Sequence, residues 1–447
     1  MSRTTDMTKG SPVKLIFGFS IPLVLTNLGQ QLYMIVDAAI VGRGVGVKAL
    51  ASVGAADWIY WLILWSVIGL TQGFSTFVSR YFGEGDYRKM SKTIATSIML
   101  CFSLGVVFAA IGLLLAKPLL LLLNTPDDIL DGAVIYLYTM TVGTLVVSAY
   151  NMAAAILRAL GDSKSPLAAM LIAALVNIGL DLLFIFVFHW GVFGAAFASV
   201  LAQLVSFLYC LLQLSRIPHI NMIQSDWKPD FKMMGQLLRI GLPLSAQYAL
   251  ISISGIVLQS TINMQGSYFV AGYTATNKLY GLLECSAISL GHATATYVAQ
   301  NYGAGSFDRV KKGVKQAVTM SLVMSVVVMV ALFVLARPLL TLFIDVGETG
   351  GALATDVGYL YLIWMLFFMP VLYPIHVYRN ALLSIGISGW SMISGVAECA
   401  ARVFMAKIVI SAVGIYGLYL TEPVSWVAAL VFIIFPYYYH EKKRLAV

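Results

Sequence analysis

Stretches of about 20 apolar residues, each long enough to cross a bilayer as a helix, recur between residues 13 and 437 with short polar segments between them. They predict twelve helices, at 13–36, 50–78, 93–116, 130–157, 166–188, 191–214, 240–262, 273–300, 315–336, 355–383, 388–411 and 414–437. Hydrocarbon offers backbone polar groups no partner, and a helix bonds its own. The expected fold is therefore an all-α integral membrane protein with twelve transmembrane helices.

The pattern also repeats. STFVSRYFGEGDYRKMSK (75–92) lies over ATYVAQNYGAGSFDRVKK (295–312) at a spacing of 220, and KPLL (117–120) lies over RPLL (337–340) at the same spacing. Ile21-Pro22 matches Leu242-Pro243 one residue off that register. Each half holds six spans, an even number, so both enter the membrane with the same orientation, as parallel repeats of a secondary transporter do. The expected organisation is two six-helix bundles: a lobe at 1–215, a polar cytoplasmic linker at 216–235 with Pro218, Asp226, Pro229 and Asp230, and a second lobe at 236–447.

Composition agrees with membrane embedding. The 447 residues are 60% hydrophobic and 11% charged, too little charge to cover a soluble surface of this size. The polar first dozen residues lead into a run with no small-residue cleavage site, so the first helix is expected to be retained. Cys101, Cys210, Cys285 and Cys399 each sit alone in an apolar run, which suits packing rather than disulfides or metal.

The pI of about 9.1 would suggest nucleic acid if the basic residues clustered on one face. They do not. With the N-terminus inside, the cytoplasmic segments hold 21 Lys and Arg, and the outside loops hold only Arg43, Lys48, Lys117 and Arg337. This asymmetry places both termini in the cytoplasm. The basic balance reports topology, and no nucleic-acid partner is expected.

A few polar residues interrupt the spans. An ionised side chain in hydrocarbon is costly and is by default a functional candidate. Asp37 stands in QQLYMIVDAAIVGR (30–43), and Asn177 and Asp181 stand in NIGLDLLFIF (177–186), one helical turn apart on one face. From the rise per residue, Asp37 lies roughly 36 Å from the inner end of its helix, Asp181 roughly 22 Å, and Ser199 roughly 12 Å below the outer end. Three helices thus bring oxygen groups into the outer half of one lobe, an arrangement that suits a hard monovalent cation or a shared proton. The bland reading is that the two acids only bond neighbouring helices. In the second half, Glu398 and Arg402 replace Asn177 and Asp181 at a spacing of 221 and can neutralise each other. The cation site is therefore expected in the N-terminal lobe alone.

Glu284 lies roughly 16 Å below the outer face, with no basic neighbour on its own helix face. Facing a cavity, it could attract a cationic substrate, with Tyr280 as a cation–π surface. The alternative is a buried, protonated glutamate bonding a neighbouring helix. Gln31 and Tyr33 are further candidates for the substrate side and alternative partners for Asp37. Pro22 and Gly29 weaken the first helix and mark it as able to bend. His189, His292 and His376 are scattered and show no metal spacing.

These residues together resemble the multidrug and toxic compound extrusion (MATE) transporters, in their bacterial DinF-like branch. The likeness covers nearly the whole chain. It rests on P-x4-N-x2-QQLY-x3-D-x2-IVGR (Pro22 to Arg43), LRALGD (157–162), NIGLD followed by GAA, and QN-x-GAG (Gln300 to Gly305). The resemblance implies a cation or proton site at Asp37, Asn177, Asp181, Ala195 and Ser199, the last usually threonine. It implies Na⁺ or H⁺ as coupling ion with no other cofactor, and export of small amphipathic cationic drugs across the bacterial cytoplasmic membrane by alternating access. A monomer is expected. The Na⁺-dependent branch carries an acid early in the seventh helix, and ALISISGIVLQ (249–259) has none. The nearest rival, a lipid-linked oligosaccharide flippase of the same superfamily, would need a cationic cavity for a diphosphate. The intramembrane charges here read more acidic than basic. No phosphate loop, metal motif or nucleophile–base pair suggests an enzyme.

Overall fold

A computed structural model describes residues 4–123, 125–344, 346–347 and 350–444. The first half comprises α1 (Pro12–Gly44), α2 (Val47–Glu84), α3 (Tyr87–Leu122), α4 (Asp127–Ala159), α5 (Lys164–Asp181) and α6 (Gly191–Leu214). α5 runs directly into a π-helical turn, Leu182–Val187. After a short 3₁₀ turn (Gln224–Trp227) come α7 (Phe231–Asn263), α8 (Ser267–Gly303), α9 (Phe307–Leu340), α10 (Gly351–Phe367), α11 (Met369–Ser384) and α12 (Ser388–Phe404). α12 ends in a second π-helical turn, Met405–Val409, followed by the single turns α13 (Ile410–Val413) and α14 (Tyr416–Tyr419) and by α15 (Thr421–Arg444).

Among the described residues, nine helices are long and apolar enough to cross a membrane, and the pair α10–α11, bent by 54°, reads as one more. α8 and α12 fill the remaining places in the twelve-segment pattern; α12 is only 17 residues long before its π turn. The helices outrun the apolar stretches that announced them: α3, expected at 93–116, runs from Tyr87 to Leu122. Apolarity marks the part in hydrocarbon, while backbone bonding continues into the polar ends. Exposed leucines and valines on α3 and α9, such as Leu114, Leu122 and Val334, are in place for lipid contact.

The repeat is visible in the turns. Gly85 closes α2 with φ 77°, and its N–H bonds Phe82 and Tyr81 carbonyls. Asp86 then caps α3 by accepting the Lys89 N–H at 2.9 Å. Gly305, at a spacing of 220, takes φ 69° between α8 and α9. Both need a left-handed backbone that a Cβ would disfavour. Pro118 and Pro338 sit near the ends of α3 and α9, and the two π turns fall at corresponding places in the halves.

By contacts the chain divides into two units, Met1–Met7 with Ile21–Ser245 and Thr8–Ser20 with Ala246–Val447. The start of α1 thus belongs with the second unit and the start of α7 with the first. The boundaries adjoin Pro22 and Pro243. In the first unit, Gly69 and Gly73 of α2 form a small-xxx-small step against α7. A Cβ on Gly69 would come 2.7 Å from the Ser245 Cα, and one on Gly73 2.6 Å from the Gly241 Cα. Such steps let two backbones approach closely. The expected linker, 216–235, groups with the same unit. Arg88 holds Asp226 through both carboxylate oxygens, at 2.6 and 2.5 Å, and Lys92 bonds Asp230 at 2.5 Å. These partners hold both carboxyls below the usual carboxylate range.

Candidate functional site

In the first unit, α1, α5 and α6 bring oxygen-bearing side chains to one place. Tyr33 and Asp37 are one turn apart on α1, and Asn177 and Asp181 one turn apart on α5. α1 lies against α5 over several turns: a Cβ on Gly29 would come 2.4 Å from Met170 Cε, and one on Gly44 2.6 Å from Ile185 Cγ2. Gly29, expected as a weak point for bending, is therefore also where α1 makes room for the Met170 side chain. Between these two contacts the Asp37 and Asp181 carboxyls come within interaction range of each other. Two carboxylates that share a site repel each other when both are ionised.

Asn177 completes the link to α6. In the orientation that satisfies both ends of its amide, it donates to Asp181 Oδ2 at 2.6 Å and accepts from the Ser199 N–H at 3.2 Å. The Tyr33 and Ser199 hydroxyls lie 3.2 Å apart. Tyr33, expected on the substrate side, thus belongs with the acid cluster, because residues four apart share a helix face. Asn177 and Asp181 are fully buried, yet Asp37 Oδ1 and Asp181 Oδ1 meet no hydrogen-bond donor. Buried oxygens without donors suit a proton or a small cation. Ala195 lies one turn before Ser199, packed in the apolar cluster with Val41 and Ile185. Gln31 is half-buried on α1. Pro22 stands within a continuous helix, and its carbonyl accepts the Thr26 hydroxyl at 2.8 Å. No group of three or more His, Cys, Asp and Glu among the described residues could hold a metal. A Na⁺ at the cluster would therefore need Asn177, Ser199 or Tyr33 as well.

The second unit treats its polar residues differently. Glu398 and Arg402 pair at 2.9 Å, and the pair is embedded in a network. Arg379 of α11 also binds Glu398, at 2.8 Å, and Arg402 binds Glu422 of α15 at 2.8 Å and Ser254 of α7 at 2.5 Å. Two arginines meet two glutamates. Arg379, near the end of the span predicted at 355–383, is buried here. Glu284 on α8 is not alone: His376 Nε2 of α11 stands 3.5 Å from its Oε1, and Tyr280 lies one turn back on the same helix, within electrostatic reach. His376, set aside as scattered, is the neighbour that sequence reasoning missed. Only the approach of α11 to α8 reveals it.

Comparison with known proteins adds an independent observation. The MatE family model matches twice, at residues 22–183 and 243–406. The chain belongs to the MatE family. Its two matches begin 221 residues apart, so the repeat read from the turns is one family module used twice. MatE proteins are transporters, so the chain is a multi-pass membrane transporter and not an enzyme. It is 33% identical over 365 residues to YpnP, a probable multidrug resistance protein of Bacillus subtilis, covering 82% of this chain and 81% of that one. In fold it is similar to a MATE transporter in the bent conformation, with a TM-score of 0.90 at 23% identity over 99% of this chain and 100% of that one. It is also similar to a MOP superfamily transporter from Pyrococcus furiosus described as having a binding pocket of reverse polarity, with a TM-score of 0.89 at 24% identity over 99% and 98% of the two chains.

Proposed function

We propose that this MatE transporter exports small amphipathic organic cations across the bacterial cytoplasmic membrane in exchange for H⁺ or Na⁺, with the coupling ion held at Asp37 and Asp181. The observation that carries the reading is the close approach of these two carboxyls, on different helices and with Asn177, Ser199 and Tyr33 around them. Two carboxylates this close cannot both stay ionised without a neutralising ion, so occupancy by a proton or cation controls whether α1 can hold Asp37 beside Asp181. An ion that binds one arrangement of α1 better than another shifts the population toward it, which is what coupling requires. That similar proteins are named as probable multidrug resistance proteins supports the substrate class.

Efflux from proteoliposomes under separately imposed H⁺ and Na⁺ gradients tests the reading and identifies the ion. Asp37→Asn or Asp181→Asn should bring efflux to the level of empty vesicles while the protein stays inserted. Wild-type efflux in either variant overturns the assignment. For topology, both termini and the linker are cytoplasmic in this reading. A cysteine placed at Ser225 should stay unmodified by an impermeant thiol reagent added outside intact cells, and modification there would reverse the orientation.

A further inference from the structure

Among the described intramembrane glutamates of the second unit, Glu284 is the one not held by an arginine. Glu398 and Glu422 side chains are 7% and 13% exposed and are held by Arg379 and Arg402, whereas Glu284 is 26% exposed and its basic neighbour is His376, itself 18% exposed. An ionisable pair left partly open within a membrane segment faces protein or water rather than lipid. Around it the structure builds an aromatic wall. The Tyr280 ring stacks on Trp426 at 5.7 Å and 18°, and Tyr280 stands one helical turn before Glu284 on α8, within its electrostatic reach. Trp426 is 1% exposed, so the stack is fixed from behind. His376 is fixed too: a Cβ on Gly291 of α8 would come 3.0 Å from its carbonyl oxygen.

We infer that Glu284, His376 and the Tyr280–Trp426 stack form a subsite for an organic cation with aromatic or alkyl groups, and that a proton on His376 empties it. The inference rests on the proposed export of organic cations. With the imidazole neutral, Glu284 is a carboxylate without a cationic partner beside a π face, the two elements that recognise such a cation. With the imidazole protonated, His376 pairs with Glu284 and repels the ligand. Histidine is the side chain suited to taking up and releasing a proton in such a switch. The other described groups whose charge or hydroxyl reaches Glu284 are Tyr248 on α7, Tyr280 and Cys285 on α8, Tyr373 on α11 and Glu422 on α15. Tyr373 is engaged by Ser286 at 2.8 Å, and Glu422 by Arg402. Arg379, three residues beyond His376, is taken by Glu398 and by Ser394 at 2.9 Å. That leaves His376 as the switch.

The test is binding of tetraphenylphosphonium to the purified full chain at pH 6 and pH 8. An Asp37→Asn/Asp181→Asn background removes titration in the other unit. Binding in that background should weaken at least about tenfold from pH 8 to pH 6. Glu284→Gln should bind weakly at both values, and Glu284→Asp should recover part of the affinity and of the pH dependence. His376→Gln should keep its pH 8 affinity at pH 6. The inference is overturned if the background does not bind at pH 8, if Glu284→Gln binds as tightly as the background, or if His376→Gln keeps the full pH dependence. It is also overturned if Glu284→Gln does not fold and Glu284→Asp binds as the background does. Failure of the proposed coupling site would appear elsewhere, as gradient-driven efflux that survives Asp37→Asn.

Discussion

The α5 segment of the first half and the α12 segment of the second are the same element put to opposite electrostatic use. Each is a span that carries two polar residues four apart and then loosens into a π turn, Leu182–Val187 in one and Met405–Val409 in the other. In α5 those residues are Asn177 and Asp181, and what faces them is another acid, Asp37. In α12 they are Glu398 and Arg402, and what faces them is Arg379 and Glu422, which completes two opposite pairs. Among the described residues no basic side chain pairs with Asp37 or Asp181. A repeated scaffold therefore does not fix its chemistry. A buried cluster whose charges balance neutralises itself, and one whose acids face each other does not.

The largest expected contrast comes from neutralising one acid in each half. Asp37→Asn should end efflux and leave thermal stability in detergent near the wild-type value, because it relieves a like-charge contact. Glu398→Gln should act mainly on folding. It leaves Arg379 and Arg402 short of an anion, and stripping one partner from a buried pair costs about 3–5 kcal/mol. A Glu398→Gln protein that melts with wild type would break the comparison. Adding Arg402→Gln should recover part of the lost stability, since removing both members of a pair is milder than removing one. Equal melting of the single and double variants would show that the two residues do not compensate each other.

The smallest effect belongs to the linker, where the first half uses Arg88 and Lys92 while the aligned positions of the second half are Asp308 and Lys312. Asp226 and Asp230 are held below the usual carboxylate range by these cations. Their contribution is present above the unfolded carboxylate range and is lost only as pH falls through the depressed folded values. Limited proteolysis of the linker should thus be unchanged from pH 8 to pH 5 in the wild type. Asp226→Asn should be cut faster throughout that range. Equal cutting of the two would dismiss the clamp.

The twelve spans were legible because apolar length is a local property, and the repeat because Pro22, Gly85 and Pro118 have counterparts at fixed spacing. The pairing of Asn177 with Asp181 was legible from helical period alone. What the sequence did not disclose was tertiary. Tyr33, offered on sequence both as a substrate candidate and as a partner of Asp37, meets Ser199 of another helix. Arg379 finds its partners Glu398 and Ser394 only through the approach of α12. His376 looked isolated because its partner is on a helix nearly a hundred positions earlier, and no local pattern carries that distance. The 54° bend between α10 and α11 was likewise hidden within one continuous apolar run.

The exchange of opening segments, Thr8–Ser20 grouped with the second unit and the start of α7 with the first, has a consequence for ancestry. A half-length polypeptide of this design would lack the beginning of its own bundle and would close only in company, each copy completing the other as in a domain-swapped dimer. Joining two such copies in one gene makes the swap permanent and ends the requirement that both be identical. Halves joined in one gene can differ in their buried charges, as Arg379 and Arg402 in one and Asp37 and Asp181 in the other do here, whereas two copies of one chain cannot.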